Sequence, residues 1–168
     1  MKSVLELLPA SSNVFIDANI FLYHIMKHPK FFLSCNSFFE RIESGEYRGI
    51  TSTLVINEVL HKLILAEAAK IYHLQSEREA IKYLKRKPER ISGLSQVWKN
   101  YSDIKEYPII ICDFDGAVME KAVELSNKHG LFISDASHLA IMMTQGIKRI
   151  ATNDSDFERL NGIDIYKP

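Results

Sequence analysis

The chain has 168 residues, 46% hydrophobic and 25% charged, and its 21 Lys and Arg balance 21 Asp and Glu. That length suits one compact domain over residues 1–168. The charge balance excludes a uniformly basic nucleic-acid clamp and an acidic tail protein.

In chain order, Ser3 and Glu6 have capping-box spacing, which predicts a short helical turn over residues 3–8. Glu6 also breaks the apolar stretch that a secretory leader needs. Val14-Phe15-Ile16 is a short apolar run ended by Asp17, with a helical pattern from Ile20. After the turn signal Ser44-Gly45-Glu46, residues 49–53 are rich in β-branched and small residues and read as a second strand. A long helix follows from Asn57 to about Gln75. Residues 61–105 carry ten Lys and Arg against five Asp and Glu, so the neutral total hides a basic helical segment beside an acidic body. Ile109-Ile110-Ile111-Cys112 predicts a buried third strand, and a helix follows to about His129. Ser134 is a good N-cap for a helix running to about Thr144. Residues 149–152 and 163–166 are the last two strands. Short apolar runs alternating with helices predict an α/β fold: a three-layer α/β/α sandwich with a five-stranded, mainly parallel sheet.

In such sheets, ligands bind beyond the carboxyl ends of the strands, at the switch in strand order. Four acids occupy those positions. Asp17 follows the first strand, Glu58 opens the helix after the second, Asp135 lies in the first turn of the helix running to about Thr144, and Asp154 follows the fourth strand, with Asp156 two residues on. The helix dipole alone explains one acid at a helix N-terminus. Four acids converging on one point repel and call for a cation. An all-oxygen donor set suits Mg²⁺ or Mn²⁺, whereas Zn²⁺ favours His or Cys.

The other chemistry-bearing residues narrow the choice. The chain has no H-E-x-x-H, C-x-x-C, G-x-S-x-G, Walker A or G-x-G-x-x-G pattern. His138, three residues after Asp135, either lines the same cleft or packs in the interior. Cys35 and Cys112 are too few for a disulfide framework and suit a reducing compartment, so a cytoplasmic location is expected. No apolar run reaches the roughly 18 residues that cross a bilayer. Phe31-Phe32-Leu33 and Phe38-Phe39 form either a partner surface or core packing.

Four segments, in order, resemble the PIN-domain family of metal-dependent nucleases, in particular its VapC-like toxins. They are Phe15 to Tyr23 (FIDANIFLY), Thr53 to Leu60 (TLVINEVL), Ser134 to Ala140 (SDASHLA) and Ile150 to Phe157 (IATNDSDF). The resemblance covers about residues 12–60 and 107–168, and is least clear over 61–105. It implies strand order 3-2-1-4-5, with the switch between strands one and four. The implied activity is a divalent-metal-dependent endoribonuclease. Asp17, Asp135 and Asp154 would hold one or two Mg²⁺ or Mn²⁺ ions, and Glu58 would act as ligand or base. Asp156 would be a further ligand or a helix cap, and Asn19 and Thr152 would support the ligands. The implied partners are RNA, an antitoxin protein and a second copy of the chain.

Because an acidic centre repels RNA, phosphate must be gripped elsewhere. Lys82, Lys85, Arg86, Lys87 and Arg90, near Tyr83 and Trp98, either supply phosphate contacts and a stacking surface or form a solvated helix face. Two rival functions stand beside the nuclease. One is a non-catalytic PIN-like module that binds RNA or protein. The other is a haloacid-dehalogenase-like phosphatase using Asp113 and Asp115 in the run Asp113-Phe114-Asp115-Gly116.

Overall fold

Val14, Phe15 and Ile16 are all fully buried, which only a strand covered on both faces permits. The computed structural model describes residues 2–168. Its strands are β1 (Lys2–Val4), β2 (Asn13–Ile16), β3 (Arg48–Ser52), β4 (Ile110–Cys112), β5 (Arg149–Ala151) and β6 (Asp164–Lys167). Its helices are α1 (Ala18–Ile25), α2 (Phe32–Glu43), α3 (Thr53–Ile71), α4 (Glu77–Arg86), α5 (Glu89–Ser92), α6 (Ser95–Glu106), α7 (Gly116–His129) and α8 (Ile133–Thr144), with short 3-10 turns at Leu5–Leu7 and Asp156–Arg159.

All six strands pair in parallel, in the order β1-β6-β5-β2-β3-β4. Apart from β1, this is the expected order, read from β4 to β6. The sixth strand corrects the sequence reading. Lys2–Val4 adds to the sheet edge along β6, with Ser3 opposite Tyr166, so the predicted helical turn shrinks to Leu5–Leu7. No side chain caps that turn. Glu6 does not close a capping box but accepts from Ser34 Oγ at 2.6 Å. A free sheet edge offers a row of hydrogen bonds, and that outweighs a two-residue local signal.

Side chains alternate across β2 and define the layers. Phe15 packs against His138 of α8, their ring centroids 5.7 Å apart. Ile16 faces the opposite layer, where Gly49 lets α2 come close: a Cβ there would meet Ile16 and Ile42 Cδ1 at 3.0 and 3.1 Å. Phe21, Phe38 and Phe39 are buried in this layer, so the Phe38-Phe39 pair is core. Leu33 is 79% exposed.

Strand β4 corrects a second expectation. Its continuous apolar run reads as a buried strand, yet Ile110 and Ile111 are exposed, because β4 is the sheet's outer strand and pairs only with β3. Among the described residues no helix is long and apolar enough to cross a membrane.

Candidate active site

The register brings the ends of β2 and β5 together. Ile16 lies opposite Ala151, and the Asp17 N–H donates to the Ala151 carbonyl at 3.1 Å. The strand order switches here: β2 leads to β3 on one side, while β5 and β6 lie on the other. Residues 17 and 152 therefore emerge side by side at the carboxyl edge of the sheet.

Asp17 is the N-cap of α1. Its Oδ1 accepts from the Ala18 N–H at 2.6 Å, and its Oδ2 accepts from the Asn19 amide and the Thr152 hydroxyl. Thr152 Oγ1 in turn accepts from Asn19 Nδ2 at 3.1 Å and from the Asp154 N–H at 3.0 Å. The Asn153 N–H donates to Asn19 Oδ1 at 3.1 Å, and Asn153 Nδ2 donates to the Tyr23 hydroxyl at 3.2 Å. One network thus locks the start of α1 to the loop after β5. Asp154 Oδ1 accepts from the Asp156 N–H at 2.8 Å, which fixes the start of the 3-10 turn.

Glu58 comes from the second turn of α3, a helix capped by Ser52 Oγ, which accepts from the Val55 N–H at 3.2 Å. Asp135 comes from the first turn of α8. This helix begins at Ile133, not after Ser134: its N-cap is Phe132, with no side-chain cap bond. Ser134 lies inside the first turn, so the predicted cap is one turn-start too late.

Three of these acids feel the charge of the others. Burial, and then the charge of Asp154, raise the Asp17 carboxyl above its usual range against the pull of its three donors. Desolvation, then Asp17, raises Glu58. Desolvation, then Asp154, raises Asp135, with smaller contributions from Asp156 and Asp17. His138 sits one turn beyond Asp135 with its ring buried, and burial pushes its imidazole down despite Glu58, Asp135 and Asp154. It both packs in the interior and borders the acids, and its charge partly opposes the rise of Glu58 and Asp135. The acids interact at electrostatic rather than ligating range: among the described residues no three His, Cys, Asp or Glu side chains group closely enough to hold a metal ion as placed.

Other candidates lie elsewhere. Lys82, Lys85 and Arg86 are on α4, and Lys87 and Arg90 flank Pro88. Lys87 sits over the Tyr83 ring and Arg90 over the Tyr72 ring, at 5.4 and 6.0 Å, while Tyr72 and Tyr83 pack at 4.6 Å. Tyr72 is the C-cap of α3. At 1.5 Å per residue it is about 20 Å along the helix from Glu58. Asp115 spends its carboxylate on capping α7, accepting from the Val118 N–H at 2.9 Å. With Asp113 it sits after the edge strand β4, outside the coupled acids, so the phosphatase geometry is not formed. Sequence reasoning passed over Asn153 and Tyr23. The available signal was the adjacency of Asn153 to Thr152 and the one-turn spacing from Asn19 to Tyr23 on α1.

An all-parallel sheet flanked by helices, with Asp17 and the loop carrying Asp154 at its switch point, defines a three-layer α/β domain. The chain belongs to the PIN-domain family, whose model matches residues 14–163. It is 25% identical over 157 residues to ribonuclease VapC2 of Methanocaldococcus jannaschii, covering 93% of this chain and 94% of the relative. With ribonuclease VapC6 of the same organism it shares 25% identity over 158 residues, covering 93% and 97%. Among solved structures, the fold is similar to VapC20 of Mycobacterium tuberculosis, a sarcin-ricin loop cleaving toxin, with TM-score 0.58 and 15% identity over 86% of this chain and 92% of that one. It is also similar to a chain of VapBC2 from Rickettsia felis bound to a DNA fragment from its promoter, with TM-score 0.54 and 17% identity over 92% and 98%.

Proposed function

We propose that this chain is a divalent-metal-dependent endoribonuclease acting on single-stranded or loop RNA, and the toxin of a toxin–antitoxin pair. The observation that carries the reading is the mutual electrostatic coupling of Asp17, Glu58, Asp135 and Asp154 from four separate elements. The two ribonuclease relatives support the reaction class.

The donor set fits a hard divalent cation. It consists of carboxylate oxygens, of which burial and then neighbouring charge raise the proton affinity at Asp17, Glu58 and Asp135, and Lys62, the nearest basic residue on α3, pairs with Glu77 at 3.0 Å. Asp17, Asp135 and Asp154, with Asp156 beside them, would hold Mg²⁺ or Mn²⁺. Bound there, the ion lowers the pKa of a coordinated water and offsets charge on the scissile phosphate. The chain's own residues do the rest. Thr152, Asn19 and the Ala18 N–H fix Asp17 in its ionised orientation, and Glu58 orients or deprotonates the attacking water.

The antitoxin and a second copy of the chain are the expected protein partners. A binding module with the same fold is the remaining alternative, and one assay separates the two. Purified protein with Mn²⁺ is expected to cleave a mixed RNA pool. Chelator is expected to abolish cleavage, and so is Asp17→Asn with an unchanged circular-dichroism spectrum. Cleavage that survives both treatments refutes the proposal, and a wild-type protein that binds RNA without ever cutting it establishes the binding module.

A further inference from the structure

Phe132 breaks two local rules at once. Helix N-caps favour Ser, Thr, Asp and Asn, which bond the free N–H groups, yet Phe132 occupies that place in α8 and makes no side-chain cap bond. Its ring is also 77% exposed, and no aromatic side chain among the described residues is more exposed. A residue that serves neither its helix nor the core marks a position held for another purpose. Its location gives that purpose a direction. N-cap and N3 side chains of a helix lie beside each other, and N3 of α8 is Asp135.

Arg159 stands on the same rim. Its Nη2 donates to the Gly130 carbonyl at 3.0 Å, and its Nε lies 3.3 Å from the Asp156 carbonyl. The guanidinium therefore ties the segment entering α8 to the loop that carries Asp154 and Asp156. Arg159 is exposed, so its guanidinium is open to solvent where it meets the Asp156 carbonyl. The exposed Ile133 adds an apolar shoulder.

We infer that Phe132 is the stacking platform for one base of the RNA substrate, next to the phosphate being cut, and that Arg159 contacts the adjoining phosphate. This rests on the nuclease reading and names the part of the substrate recognised at that site. Proteins that read unpaired RNA stack bases on aromatic side chains and on Arg. A base inside a duplex already has both faces covered, so a platform beside Asp135 selects strands or loops in which that nucleotide is splayed out. It also supplies a grip at the site itself, which the basic residues at the far end of α4, by Tyr72, do not.

The test is a cleavage assay with Mn²⁺ on a single-stranded oligoribonucleotide and on copies carrying one abasic nucleotide at each position in turn. For wild type, one abasic position beside the cut is expected to raise KM roughly tenfold or more, the range seen for a lost base–aromatic stack, with kcat little changed. Phe132→Ala is expected to raise KM on the intact substrate by the same factor and to lose sensitivity to that abasic position. Phe132→Trp keeps both properties and Phe132→Leu does not. Because the ring is exposed, the melting temperature of all three variants should match wild type. If wild type cleaves but Phe132→Ala shows an unchanged KM, or remains sensitive to every abasic position, the inference is overturned. The same holds if Phe132→Ala weakens only a co-purifying protein partner. A wild-type protein that cleaves no RNA overturns the nuclease reading instead.

Discussion

Thr152→Val is nearly isosteric and removes a single hydroxyl. That hydroxyl is fully buried, donates to Asp17 Oδ2 and accepts from Asn19 Nδ2 and the Asp154 N–H. A hydrogen bond to a charged group contributes about 1.5–3 kcal/mol, and a neutral one about 0.5–1.5 kcal/mol. With Asp17 ionised, the substitution is expected to cost about 2–3 kcal/mol, which for a domain of this size lowers Tm by about 4–12 °C.

The pH dependence tests the cause. The folded-state pKa of Asp17 lies above its ordinary value, through burial first. A group of this kind lends stability that is fully present below the ordinary carboxylate range and is lost as pH rises through the folded value. Thr152 opposes that upward shift, so removing it raises the Asp17 pKa further and steepens the loss. Urea denaturation in chelator at about pH 8 and about pH 4 should therefore show a larger deficit at the higher pH. In an Asp17→Asn background, Thr152→Val should cost only the neutral-bond amount at either pH. A deficit that is the same at both pH values, or undiminished by Asp17→Asn, would refute the claim that Thr152 acts through the Asp17 charge.

Two further outcomes follow from the helical layer around α3. Glu67 on α3 accepts from the backbone N–H groups of Gln96 and Val97, at 3.1 and 2.7 Å, capping α6 from another helix because Leu94 offers no side-chain cap. Glu67→Ala should cost about 1 kcal/mol and speed hydrogen exchange at residues 96 and 97; unchanged exchange there removes the capping role. Neutralising Lys85, Arg86 and Lys87 together should weaken binding of a long RNA and flatten its salt dependence, while leaving cleavage of a short oligonucleotide unchanged, because this end of α4 packs by Tyr72, about 20 Å along α3 from Glu58. Equal effects on both substrates would contradict that separation.

The core strands were legible in the sequence because β2 and β5 are short and apolar, as parallel strands buried on both faces are, and β3 is short and rich in β-branched and small residues. The order of the acids was legible for a related reason: strand ends at a switch point leave few places for a ligand. What escaped was decided by partners distant in the chain. Nothing within residues 2–8 indicates that Lys2–Val4 will pair with β6, and the Ile110-Ile111 run does not reveal that β4 has a neighbour on one side only. The same limit applies to the site. Local spacing cannot show that Asn153 bridges Asn19 and Tyr23, since those contacts span 134 and 130 residues of chain.

The coupled acids are not equivalently held, and the difference bears on how such a centre works. Asp17 accepts from three separate residues, whereas among the described residues neither Glu58 nor Asp135 accepts a hydrogen bond. Donors around a carboxylate favour its charge and fix its orientation. Carboxylates without donors, partly desolvated and facing like charges, are driven toward protonation or toward a cation. On the proposed nuclease reading, one anchored acid would preserve the position of the centre, and unanchored acids would keep the freedom to close on an ion and then on a phosphate. Hydrogen-bonding all four as firmly as Asp17 would stabilise the fold and weaken the call for a cation, which is the trade-off expected where a site breaks local rules for function.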